Sequence, residues 1–184
     1  MEFAIPSWLV NFFDKVILAI LVGLITSVIF FYILSKFRPK IDISKAIAKG
    51  ADKKDGRPIY RIKVINRTKY PIIDIKAQLH IFENQQTANG EIWKSMTIEL
   101  KRSDPIVIDK YDKSDRDALY AYRFVTYNDL EALWGYDNVQ FLRFRIYARH
   151  ALSGFGTFAY QDFRLKRNSI KVGDFSKGDT FEIV

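Results

Sequence analysis

Between Val16 and Leu34 the chain reads VILAILVGLITSVIFFYIL, nineteen residues without a charge, in which only Thr26, Ser27 and Tyr32 carry a polar group. As a helix this run is about 28 Å long, close to the hydrocarbon thickness of a bilayer. Core helices of soluble domains seldom stay apolar on every face over such a length, so the run reads as a membrane span rather than a buried helix. Everything after Leu34 is polar and patterned, and reads as a soluble domain on one side of the membrane.

The flanks give the orientation. Lys36, Arg38, Lys40, Lys45, Lys49, Lys53 and Lys54 follow the span, whereas Lys15, beside Glu2 and Asp14, is the one cation before it. The positive-inside bias therefore predicts an N-terminus outside the plasma (inner) membrane and a cytoplasmic C-terminal domain. A cleaved signal peptide fits less well, because the basic n-region is missing and SKFRPK offers no small-x-small site. The formal net charge of +8 divides into −1 over residues 1–35 and +9 over residues 36–184, so the excess lies on the soluble part, and the absence of cysteine removes disulfides, thiolate nucleophiles and cysteine metal sites.

Residues 1–38 divide into an interfacial lead-in and the span. Phe3, Trp8, Phe12 and Phe13 mix with Asn11, Asp14 and Lys15 in the lead-in, as suits the headgroup layer, with the helix expected to start near Pro6 and Ser7. Ala19, Gly23 and Ser27 recur every four residues, and small side chains at that spacing allow two helix backbones to approach closely. Asn11 and Lys15 extend the stripe. A homo-oligomer through this helix is expected, alongside contact with membrane lipid.

Residues 39–58 read as a basic juxtamembrane linker with one short strand at Ile41 and Ile43. From 59 to 184 the pattern has period two. Tyr60, Ile62 and Val64 alternate with Arg61 and Lys63; Ile73, Ile75, Ala77, Leu79 and Ile81 alternate with Asp74, Lys76, Gln78 and His80. ENQQTANGE, with Asn89-Gly90, reads as a turn, followed by a strand with Ile92, Met96, Ile98 and Leu100 inward and a short strand at Pro105–Ile108. KYDKSDRD is a charged loop with nothing to bury. Tyr120, Tyr122 and Phe124 mark an aromatic strand, and NDLEALWG a two-turn helix with Asn128 as N-cap, Glu131 closing a capping box and Gly135 ending it. Leu142, Phe144 and Ile146 face inward opposite Arg143, Arg145, Tyr147 and Arg149; after a turn at Gly154-Phe155-Gly156, TFAYQDF completes a hairpin, and SIKV and TFEIV supply one or two last strands. Short strands without βαβ alternation predict an all-β domain, an antiparallel immunoglobulin-like sandwich or a small barrel with one side helix.

No nucleophile–base pair, Walker loop, dinucleotide fingerprint or metal-ligand spacing is present, and His80 and His150 lie on separate strands, so neither enzyme activity, metal nor cofactor is expected. Asn66-Arg67-Thr68 matches a glycosylation sequon, without consequence in the cytoplasm. The constellation with chemical content is basic: Arg143, Arg145 and Arg149 on one strand face, with Lys166, Arg167 and Lys171 after the partner strand. Arginines at period two stand about 6.5 Å apart, near phosphate spacing, and Tyr147 between them can stack on a base. The alternative is a solvated sheet face, its charges guarding against edge pairing.

A short N-terminal anchor followed by a compact basic β-domain without catalytic residues resembles, in layout, the membrane effectors of bacterial antiphage defence that respond to cyclic oligonucleotides. The resemblance implies a β-domain that binds the signal and anchors that cluster to breach the membrane. The second expectation is a passive tether whose β-domain recruits a cytoplasmic protein partner. Duplex nucleic acid is not an expected partner of either.

Overall fold

The computed structural model describes residues 7–52, 55–88 and 90–184, with side chains from residue 12 onward. Phe3, Pro6, Lys53, Lys54 and Asn89, and the side chains of Trp8 and Asn11, therefore lie outside the described residues. The chain divides between Phe37 and Arg38 into two units.

The first unit is helix α1 (Ser7–Ser35), whose stretch Phe12–Ser35 is long and apolar enough to cross a bilayer. Every side chain from Phe12 to Ile33 is exposed among the described residues, unlike the mostly buried core helix of a soluble domain. The hydroxyls inside the run are satisfied by the helix itself: Thr26 donates to the Val22 carbonyl and Ser27 to that of Gly23, each at 2.8 Å. Ala19, Gly23 and Ser27 share one face, and a Cβ added at Gly23 would meet no atom within 4 Å.

The second unit carries, in chain order, strands β1 (Ile41–Ile43), β2 (Ile47–Ala51), β3 (Pro58–Asn66), β4 (Ile72–Thr87), β5 (Gly90–Ile98), β6 (Val107–Ile108) and β7 (Ala121–Thr126). Then come α2 (Leu130–Leu133), β8 (Gln140–His150), β9 (Gly156–Phe163), α3 (Lys166–Ser169) and β10 (Ile170–Val172). The expected 39–58 linker thus contains two strands of the sandwich. In one sheet β1 and β2 pair antiparallel with opposite ends of β3, β7 also pairs with β3, and β10 joins β2 in parallel. The other sheet runs β5-β4-β8-β9, with β6 on β4. These orders match the A–B–E and C′–C–F–G strands of an immunoglobulin-like sandwich. Among the described residues the short helices number two, not one, and the TFEIV segment contributes a single bridge, Phe175 to Ile183, in place of a strand.

Both sheets contribute to one apolar core. Tyr60, Ile62, Val64 and Phe124 from the first meet Ile75, Leu79, Leu142, Phe144 and Ile146 from the second, with the Phe124 and Phe144 rings 5.2 Å apart. The α2 segment seals one end with Leu130 and Trp134, both fully buried. Its N-cap is Asp129, one residue beyond the expected Asn128: the Asp129 carboxylate accepts from the Glu131 and Ala132 amides and from the Tyr60 hydroxyl. That charge-accepting role holds the Asp129 carboxyl below the ordinary carboxylate range, Tyr60 being the main cause. Glu131 pairs with Lys49 in place of closing a capping box.

Two inward assignments on β4 and β5 differ from expectation. In β4 the register shifts by one residue between Ile73 and Lys76, with Asp74 in the left-handed region at φ 50°, so that Ile72 rather than Ile73 is fully buried. The ENQQT segment, expected as turn, is strand, and the β4–β5 hairpin runs past the core; Ile92 and Met96 keep the inward parity but are about half exposed. Asn66 is wholly buried, its amide donating to the Tyr70 and Asp109 carbonyls and its oxygen accepting from the Thr68 amide. The sequon is therefore closed to a glycosyl donor in the folded protein on either side of a membrane.

Lys63, expected on the solvent side of β3, is only 1% exposed. The segment 174–184 folds over that side, and the ammonium donates to three of its backbone carbonyls, Ser176, Gly178 and Thr180, at 2.7–2.8 Å. Arg123 and Arg67 hold the same segment through the Phe175 and Asp179 carbonyls. The loop after β6 also buries something: Tyr111 packs on Tyr120 and donates to the Asp179 carboxylate.

Candidate anion-binding face

On β8 the alternation that buries Leu142, Phe144 and Ile146 sends Arg143, Arg145, Tyr147 and Arg149 to the outer face of the β5-β4-β8-β9 sheet. Their neighbours follow from register: His80 and Asp162 flank Arg143, Gln78 and Tyr160 flank Arg145, Lys76 and Phe158 flank Tyr147. The face is thus a mosaic of cations and rings, with Phe158 59% and Tyr160 60% exposed.

The four outward residues of β8 differ in what occupies them. Arg143 makes a two-pronged pair with Asp162, Nε to Oδ1 at 2.5 Å and Nη2 to Oδ2 at 2.8 Å, and lies within 5.3 Å of the Phe82, Phe141 and Tyr160 ring centres. The pair holds the Asp162 carboxyl low, with Arg164 adding to it. Arg143 is therefore committed to the sheet, closing the β8–β9 hairpin across its own ladder rung. Arg149 pairs with Asp74 at 3.0 Å and donates to the Gly154 carbonyl. The left-handed backbone at Asp74 is what brings that carboxylate within reach.

Arg145 makes no ion pair among the described residues; its guanidinium sits 5.4 Å from the Phe82 ring centre. Burial, and after it the Arg145 charge, lower the His80 pKa, which favours the neutral imidazole beside Arg145. Lys76 likewise has no ion pair among the described residues. Tyr147 lies flat across β9: a Cβ at Gly156 would come within 2.5 Å of its hydroxyl oxygen. Any side chain at position 156 would lift the ring, so Gly156 is part of the site.

These residues line a depression of about 730 Å³. Its walls are Lys76, Gln78, Arg145, Tyr147, Arg149 and Phe158 on the sheet, with Asp104, Pro105 and Ile106 on the loop before β6. Three cations against Asp74 and Asp104 leave a formal net charge of +1, and Arg149 and Asp74 already neutralise each other. Lys166 and Arg167 are not brought to this place. They stand in α3 beside Glu131 and Tyr136, lining a separate depression; Lys166 donates from its backbone to Asp137 and from its ammonium to the Glu131 carbonyl. His150 is buried, its Nδ1 accepting from the Ser153 amide, and burial lowers its pKa. Lys76, Phe158 and Gly156 join the site without having been expected there. Lys76 is legible as an outward residue of β4, but its pairing with Tyr147 depends on the one-residue shift at Asp74.

Among the described residues no three His, Asp or Glu side chains are grouped to hold a metal. The chain matches no protein-family model and no curated protein.

Proposed function

We propose that the chain is a single-pass membrane protein whose cytoplasmic sandwich binds a phosphate-bearing ligand on the outer face of the β5-β4-β8-β9 sheet. The ligand class that fits is a cyclic oligonucleotide, and binding clusters the anchors, as in an antiphage effector. The observation that carries this reading is the presence of two cations without ion pairs among the described residues, Arg145 and Lys76, beside the exposed Tyr147 and Phe158 rings in one depression. Cations supply hydrogen bonds to phosphate, and rings a stacking surface for bases. The activity is recognition, without bond-making.

The test is equilibrium binding of cyclic di-, tri- and tetranucleotides to the full chain in detergent. Removing one charge-assisted hydrogen bond costs about 1.5–3 kcal/mol, so Arg145→Ser is expected to weaken binding about tenfold to a hundredfold, and Lys76→Ser to weaken it further. Arg167→Ser, in the separate depression, is expected to change nothing. Equal affinity in wild type and Arg145→Ser refutes the site. Exposed Tyr160, Phe158 and Trp93 on the same face also favour the second reading, a tether for a protein partner, because aromatic and Arg side chains concentrate in protein interfaces. In that case no nucleotide binds at micromolar concentration.

Clustering of the anchors uses the face bearing Ala19, Gly23 and Ser27. Gly23→Leu keeps the hydrophobicity but separates backbones packed at that face, so oligomers in mild detergent are expected to disappear while membrane insertion survives. Unchanged oligomers would remove the helix from the mechanism.

A further inference from the structure

We infer that the β9 edge is a docking surface for a second copy of this chain, joining two β5-β4-β8-β9 sheets edge to edge into one continuous sheet. Among the described residues β9 pairs with β8 alone, through an uninterrupted register from Leu142–Phe163 to Arg149–Gly156; its other edge forms no ladder and, with Ile41 and Ile43 of β1, borders a depression at Ala159, Tyr160 and Gln161. Exposed edges are normally blunted by Lys, Pro or a bulge. Here GTFAYQDF contains none of these, and its one charge, Asp162, is already neutralised by Arg143 and Arg164. The opposite edge strand β5 does carry such guards, Glu91 and Lys94.

The sequence of β9 fits itself. Antiparallel pairing about a two-fold axis keeps each sheet face continuous only if paired residue numbers have the same parity. Placing Ala159 opposite Ala159 of the second copy sets Phe158 against Tyr160 twice on the outer face, Thr157 against Gln161 twice on the inner face, and Asp162 against Gly156. Two exposed ring pairs are covered, polar meets polar, and no like charges oppose. Shifting the axis to Tyr160 sets Phe158 against Asp162, which strands a carboxylate beside a ring. Confinement of both anchors to one membrane raises the effective concentration for so small an interface. The surface shares Phe158 and Gly156 with the ligand face and makes no use of α1.

The chain has no cysteine, so engineered cysteines report on this register without background. Opposed residues in an antiparallel pair have Cα atoms about 4.5–5.5 Å apart, within disulfide reach. The full chain carrying Ala159→Cys, oxidised in mild detergent, is expected to give a disulfide dimer. Thr157→Cys alone and Gln161→Cys alone, each about 13 Å from its own counterpart in this register, are expected to form no disulfide cross-link. A mixture of the last two is expected to cross-link. Tyr160→Lys, an exposed position whose change leaves the core intact, is expected to abolish the Ala159→Cys dimer. No Ala159→Cys dimer, or equal cross-linking by all three single variants, overturns the proposal.

Discussion

Replacing Lys63 by Ala is expected to destabilise the sandwich by about 3–5 kcal/mol, more than any surface substitution in this chain. The ammonium is buried and is the donor for the Ser176, Gly178 and Thr180 carbonyls, so its removal strands three acceptors and frees the segment 174–184. Lys63→Met, which fills the same space without donors, should recover only the packing part. Urea unfolding of the full chain in detergent, followed by circular dichroism, measures both.

The same residue gives a signed pH dependence. Burial, with the Arg123 charge nearby, pushes the Lys63 ammonium down to about 8 from 10.5. Below about pH 8 both folded and unfolded chains carry the charge, and the folded state bears the cost of burying it. Between about 8 and 10.5 the folded state holds fewer protons than the unfolded, so this residue's contribution to stability rises with pH. Relative to Lys63→Met, the wild type should therefore gain stability across that window; a gain of equal size in both proteins would locate the effect elsewhere.

Trp134→Ala is expected to cost a similar 3–5 kcal/mol, because the indole is fully buried in the shared core at the end of α2. Its Nε1 has no acceptor among the described residues, so the buried N–H is itself unfavourable. Trp134→Phe removes that donor along with some volume and should cost less than half as much. Equal losses for Ala and Phe would show that the donor does have a partner.

These two side chains mark where local pattern runs out. Period-two alternation is a statement about one strand and its two faces, and it locates the cores of β3, β4, β7 and β8 because those strands face the opposing sheet along most of their length. Lys63 obeys the alternation and is still buried, since the cover comes from residues more than a hundred positions later. Ile92 and Met96 obey it and are exposed, since their hairpin outruns the opposing sheet. β2, with the sequence IAKGA, has Ile47 as its one branched residue and no aromatic, too little to advertise a strand, and its place is set by pairing with β3 and β10.

The candidate site is legible in its β8 half and no further. Spacing alone puts Arg143, Arg145, Tyr147 and Arg149 on one face, but which of them is occupied depends on register: Asp162 falls opposite Arg143, and the bulge at Asp74 presents a carboxylate to Arg149. Lys166 and Arg167 follow β9 closely in sequence yet turn away with α3.

Photolabelling tests the central claim most directly. An azido-substituted cyclic dinucleotide, applied to inverted membrane vesicles in which the cytoplasmic side faces the medium, is expected to label saturably the peptides holding Tyr147 and Phe158, and to leave sealed right-side-out vesicles unlabelled. Saturable label confined to a different depression, around Arg57, Lys101 and Tyr127, or no saturable label in either orientation, would contradict the account.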